Sequence, residues 1–131
     1  MLADVRGVST VDLLAVSLRL LERNNRLLAN NIANVDTPNF KPSHLDFHQS
    51  LKKVLRDKTF TSRTTEGRGR PSKALPVVLE DNGLEARNDG NTVDIETEMM
   101  RLAENGAKYD LYGALLKKKF QITKDMLTRL R

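Results

Sequence analysis

The sequence predicts a mainly α-helical protein: long N- and C-terminal helices forming a coiled-coil-like pair, with a short helix and a partly irregular or small-β middle segment between them. Three observations carry this reading. Apolar residues recur at spacings of 3 and 4 near both ends, the period of a helix buried along a seam. Residues 59–73, TFTSRTTEGRGRPSK, have no apolar period at all. Finally, aromatics make up only 5% of the 131 residues and Trp is absent, thin material for a globular core, whereas 39% apolar with 30% charged residues suits long helices that bury one stripe. The chain divides accordingly into residues 1–40, 41–91 and 92–131.

The first helical pattern runs through Val11, Leu14, Leu18, Leu21, Asn25, Leu28, Ile32 and Val35. Asn25 is the one polar residue in that row, and a single amide at a seam position commonly fixes register or partner number. Leu13, Leu20 and Leu27 form a second row, so the helix wants more than one neighbour. Ser9, Thr10 or Asp12 can cap its start. Pro38 disfavours the α conformation at Thr37, ending the helix near Val35 or Asp36 after about 25 residues, or roughly 37 Å.

In the middle, Ser43 is the expected cap of a short helix, with Asp46 three residues on and Phe47, Leu51, Val54 and Leu55 on one face. Val77 to Leu79 is a short β-prone run, and Asn82-Gly83 and Asp89-Gly90 are turn signals, so a small hairpin or extended strand is expected here.

The last pattern is longer. Ile95, Met99, Leu102, Gly106, Tyr109, Gly113, Leu116, Phe120, Thr123, Leu127 and Leu130 keep alternate spacings of 4 and 3. Asn91 or Asp94 can cap this helix, and Glu96 and Glu98 suit its positive end. About 37 residues give roughly 55 Å, too long for the core of so small a domain, so the helix must pack against something beyond this chain. Gly106 and Gly113 on the seam either let another backbone approach closely or are tolerated weak points of the helix.

Composition excludes several function classes. There is no cysteine, hence no disulfide, thiol chemistry or Cys-ligated zinc. The longest apolar run, Leu111–Leu116, is far short of the roughly 20 residues of a membrane helix, and the N-terminus lacks the features of a cleavable signal peptide. The net charge of +5 is concentrated between Lys52 and Lys73, where eight basic residues face only Asp57 and Glu66. That segment holds a single aromatic, Phe60, so stacking on nucleic acid is poorly provided for, and a solvated cationic loop is the expected state. His44 and His48 have a spacing that can bind one metal ion, but no third His exists, and an exposed helix face is expected instead. The EGRGRP stretch at 66–71 lacks the Gly-Lys-Ser/Thr of a phosphate loop. No catalytic residue, metal, cofactor, small-molecule substrate or nucleic-acid partner is expected.

Residues 27–41, LLANNIANVDTPNFK, place three asparagines where an apolar helix is still running, although asparagine competes with the helix for backbone bonds. This stretch resembles the N-terminal signature of the rod, hook and hook-filament junction proteins of the bacterial flagellum, whose common form is Asn-Asn-Ile-Ala-Asn-Val-x-Thr-Pro-Gly-Tyr-Lys. Asn30, Asn31, Ile32, Ala33, Asn34, Val35, Thr37, Pro38 and Lys41 match it, and Phe40 replaces Tyr. Asn39 stands where the family usually has Gly; Asn is the next most tolerant residue of a left-handed turn. Leu45–Phe47 with the following SLKKVL, and the tail from Asn91 to Phe120, look like the short basal-body rod members of the proximal rod.

The resemblance implies a structural subunit of the proximal rod. It would be exported without a cleaved signal and would polymerise through its terminal helices with copies of itself and with other rod, basal-body and export-gate proteins. Its assembly motif would be the matched residues, and Asn30, Asn31 and Asn34 are expected to bond to neighbouring chains or to the turn at Thr37-Pro38, setting register and the exit angle of the chain. The alternative that the residues leave open is a cytoplasmic coiled-coil protein whose basic loop contacts nucleic acid.

Overall fold

A computed structural model describes residues 9–56, 78–80 and 87–129. Three helices and two short strands are present among them: α1 (Thr10–Ala33), β1 (Ser43–Leu45), α2 (Phe47–Arg56), β2 (Val78–Glu80) and α3 (Ile95–Arg129). The mainly helical class and the long terminal helices are as the periodicity predicts. The Lys58–Lys73 part of the basic segment, including the EGRGRP stretch, and Asn82-Gly83 lie outside the described residues.

Each helix starts on a side-chain cap. Val11 N–H donates to Ser9 Oγ at 3.1 Å, so Ser9 is the cap among the three candidates for α1. For α3 it is Asp94: its carboxylate accepts from Glu96 N–H at 3.1 Å and from the Thr97 hydroxyl at 2.6 Å. At α2, Gln49 N–H donates to Asp46 Oδ1 at 2.8 Å. Asp46, not Ser43, therefore opens the short helix, and Ser43–Leu45 is a strand. The cause is a side chain twelve residues back: Asn31 Oδ1 accepts from Ser43 N–H and Asn31 Nδ2 donates to Ser43 O, both at 3.0 Å, as a neighbouring strand would. His44 is accordingly in β1 and half-buried, not on an exposed helix face; His48 is exposed on α2. β1 pairs antiparallel with β2, with His44 opposite Leu79, so the described part of the β-prone run finds a partner far back in the chain.

The apolar core is small. Val16 and Leu20 of α1 meet Leu45 of β1 and Val54 of α2, with Leu27, Phe47 and Leu51 packed around them. Leu21 and Leu28 of α1 are also buried. Full burial of one Leu contributes about 1.5–3 kcal/mol, so each of these residues counts in a core of this size.

α1 and α3 run antiparallel, since Asn31 bonds to Glu98 and Asn24 to Asn105 in one register. This contact follows the predicted seam at Leu21 and Leu28, which are buried, and departs from it elsewhere. Asn25 is exposed, and its neighbour Asn24 is the amide that faces α3. Leu14, Leu18, Leu102 and Leu116 are half-buried, whereas Ile95, Met99, Tyr109, Phe120 and Leu127 are exposed. A Cβ added at Gly106 or Gly113 would meet nothing within 4 Å, so neither glycine serves a close backbone approach among the described residues. Periodicity finds apolar rows but cannot say which one faces its own chain. Carried to the start of α1, the register sets Thr10 near Lys119; at 35 residues and about 52 Å, α3 runs on past it.

The asparagine junction as candidate functional site

Polar side chains form the joint between the terminal helices. Asn31 is fully buried, and its amide oxygen and both Nδ2 protons are engaged: the two bonds to Ser43, and a second Nδ2 proton donated to Glu98 Oε2 at 2.7 Å. Glu98, 2% exposed, also has its other oxygen engaged, at 2.7 Å from His44 Nε2 and 3.0 Å from Arg101 Nη1. Arg101 Nη1 touches His44 Nε2 as well. A buried carboxylate would be costly alone; here an amide, an imidazole and a guanidinium surround it.

One heptad away the pattern repeats with neutral groups. Asn24 Nδ2 donates to Asn105 Oδ1 at 3.0 Å, and Asn105 Nδ2 donates to Leu21 O at 3.0 Å. The buried residues of α3 are these two polar ones, Glu98 and Asn105. Register is therefore imposed by matched donors and acceptors, which tolerate no sliding, more than by apolar area.

The turn after α1 forms the third knot. Asn34 closes the helix, its Nδ2 donating to Asn30 O at 2.8 Å and its Oδ1 accepting from the Thr37 hydroxyl at 3.1 Å. Asn91, fully buried, points Nδ2 at three carbonyls: Asn34 O at 3.0 Å, Val35 O at 3.1 Å and Thr37 O at 2.7 Å. Its Oδ1 accepts from Val93 N–H at 2.7 Å. Thus Asn91 is not the cap of α3 but the clasp between the carbonyls left over at the end of α1 and the segment leading into α3. Backbone bonds from Asn39 N–H to Asp89 O and from Thr92 N–H to Phe40 O continue the same seam.

Asn39 has φ 59°, the left-handed conformation expected for it, and Gly90 opposite has φ 78°. A Cβ at Gly90 would fall 2.3 Å from Asn39 Oδ1, so glycine is required there for conformation and for space.

Of the predicted motif, Asn31 is buried; Ile32, Asn34, Val35 and Phe40 are half-buried; and Asn30, Ala33, Thr37, Pro38 and Lys41 are exposed. The asparagines bond within their own chain. Sequence reasoning missed Asn24, Arg101 and Asn105, read His44 and Glu98 as residues of a helix face and a helix start, and offered Asn91 as one of two caps. A signal was present: Asn24 and Asn31 are seven apart, as are Glu98 and Asn105, so two antiparallel helices bring the pairs together. His44 and His48 lie on different elements, and no group of three metal-binding side chains is present among the described residues.

The arrangement so defined is a structural joint: two long helices locked by an amide-rich turn. The family described as flagella basal body rod protein matches residues 27–41, the asparagine stretch itself. The chain is 37% identical over 109 residues to the flagellar basal body rod protein FlgB of Cereibacter sphaeroides, covering 80% of this chain and 83% of that one. It is 33% identical to FlgB of Borrelia hermsii (79% and 84% covered) and 36% identical to FlgB of Escherichia coli (72% and 75% covered). The chain belongs to the FlgB family of flagellar basal body rod proteins.

Proposed function

We propose that this protein is a non-enzymatic structural subunit of the proximal rod of the bacterial flagellum, joining copies of itself and other rod, basal-body and export-gate proteins. Export would proceed without a cleaved signal and deliver the subunit to the periplasmic part of the basal body. The structural observation that carries the assembly reading is α3. Its second half holds Leu111, Leu115, Phe120, Ile122, Met126 and Leu127, all exposed, on a helix extending past the described start of α1. Apolar surface in that amount marks an interaction site. No helix among the described residues is long and apolar enough to cross a membrane, so a lipid-spanning role for this surface has no support.

In this reading the asparagine junction holds the two helices of each subunit in one register, and contacts between subunits form on the faces that remain. A contact whose rotation does not close builds an open helical polymer, and torque passes through many helix pairs at once. The reading as a coiled-coil protein that contacts nucleic acid is not favoured by relatives that are named rod proteins.

Mass spectrometry of purified hook-basal bodies, stripped of membrane and filament, tests the proposal. Peptides of this chain are expected in the rod fraction; their confinement to the cytoplasm would refute it.

A further inference from the structure

The buried end of the joint holds three atoms that no single arrangement of protons satisfies. His44 Nε2 lies 2.7 Å from Glu98 Oε1 and in contact with Arg101 Nη1, which is itself 3.0 Å from that same oxygen. A carboxylate oxygen only accepts and a guanidinium nitrogen only donates, whereas one ring nitrogen does one or the other. With a proton, Nε2 donates to Glu98 and turns an N–H against Arg101. Without one, it accepts from Arg101 and sets a lone pair against Glu98.

The surroundings decide which partner yields. Glu98 is 2% exposed and pinned by Asn31 Nδ2 at 2.7 Å, so it stays. Arg101 has a side chain 39% exposed, and with His44 it borders an open cavity of about 660 Å³ between α1, β1 and α3. Glu104, three residues on, lines the same cavity, its carboxylate paired with Lys108 at 2.6 Å. Around the cavity α1, α2 and β2 present uncharged residues, among them Asn24, Phe47 and Leu79. Asp94, at the start of α3, senses the charge of Arg101 weakly.

We propose that the joint carries a proton-driven exchange of cations: when His44 takes up a proton, its Nε2–H becomes the partner of Glu98, and Arg101 turns along α3 to Glu104. One proton comes from solvent, and no covalent bond other than its N–H forms or breaks. A charged ring replaces the guanidinium beside Glu98, while Arg101 gains an acid at i+3, a spacing that brings side chains together on a helix. Imidazole is the side chain whose ordinary charge change falls between about pH 5 and 8, so ambient pH sets the state. The register of α1 on α3 persists, because the Asn31–Glu98 and Asn24–Asn105 bonds involve neither cation. What changes is the wall of the cavity: Arg101 lies against β1 in one state and stands with Glu104 and Lys108 in the other. The exchange is a conformational device of the single chain and is independent of where the subunit assembles.

Nitrogen-15 NMR of the full chain tests the exchange. The sequence has two histidines, and His48 is exposed on α2, so His48→Gln leaves His44 as the one imidazole to observe. At about pH 8 the neutral ring is expected with its proton on Nδ1 and Nε2 bare; at about pH 5 both nitrogens should be protonated. Over the same range, exchange of the Arg101 guanidinium protons with water should rise several-fold, and its side-chain contacts in cross-relaxation spectra should pass from His44 to Glu104. Glu104→Gln should remove the new contacts without altering the neutral tautomer, and His44→Gln should leave Arg101 in one place at both pH values. Helix content by circular dichroism is expected to stay constant. A neutral ring protonated on Nε2, or Arg101 contacts and exchange alike at both pH values, would overturn the proposal. So would a loss of helix content between them, because the joint itself would then be opening.

Discussion

The residue at which most is decided is Asn31. Its amide replaces a β-strand for Ser43 and supplies a donor to a buried carboxylate, so truncation leaves the backbone groups of Ser43 and one oxygen of Glu98 without this partner. Asn31→Ala is expected to destabilise the fold by about 1–3 kcal/mol, the cost of orphaning buried polar groups, as read from chemical denaturation. Asn31→Asp should be worse at neutral pH, because it sets a second carboxylate against Glu98. Gly90 supplies a sharper test. Gly90→Ala meets both a left-handed φ and the side chain of Asn39, and its cost should exceed about 1 kcal/mol. Asn39→Gly alone should be nearly neutral, since the family's usual residue accepts φ 59° without strain. Combining the two should recover the part of the Gly90→Ala loss that comes from the clash, while the part due to φ persists; a double-mutant cycle separates them.

At the scale of elements, the caps set the boundaries. The hydroxyl of Thr97, donating to the Asp94 carboxylate, is the main cause that holds Asp94 below the ordinary value of 3.8; desolvation, next in size, opposes it, and the N–H groups of Glu96 and Thr97 and the charge of Arg101 assist. A lowered carboxyl contributes stability above its unfolded value and loses it as pH falls through its folded one. Wild type should therefore be more stable than Asp94→Asn at pH 6, and the gap should close as pH drops below about 4; a gap independent of pH would show that the charge is immaterial. The long helices and the left-handed Asn39 were legible in the sequence because periodicity over many turns and a glycine-like position are local signals. β1 was not: Ser43 and Asp46 read as one capping pair until Asn31, distant in sequence, claims the backbone of Ser43. Nor was the inner seam, because helix pairing here runs through Asn24, Asn31, Glu98 and Asn105, which a search for apolar rows passes over.

For the whole molecule, the distribution of contacts predicts graded stability. Near the junction α3 is held by Asn31 and Asn24 through bonds to the buried Glu98 and Asn105, and the segment leading into it by Asn91, whereas every described residue from Lys117 onward is exposed. An isolated helical stretch of a dozen residues is marginal in water, because nucleation costs more than a few turns return. Local opening of that part is therefore expected to be easy in the free subunit, and amide exchange from about residue 120 onward should be orders of magnitude faster than at Glu98 or Asn105. Association that covers Leu115, Ile122 and Met126 would remove this difference, since a partner binding only the folded helix stabilises it by mass action. Hydrogen exchange on the purified chain at low and high concentration measures both halves of the argument. Protection of residues 120–129 equal to that of the junction in the dilute monomer would mean that α3 is stable without a neighbour, and the case for its exposed face as an assembly surface would lose its energetic basis.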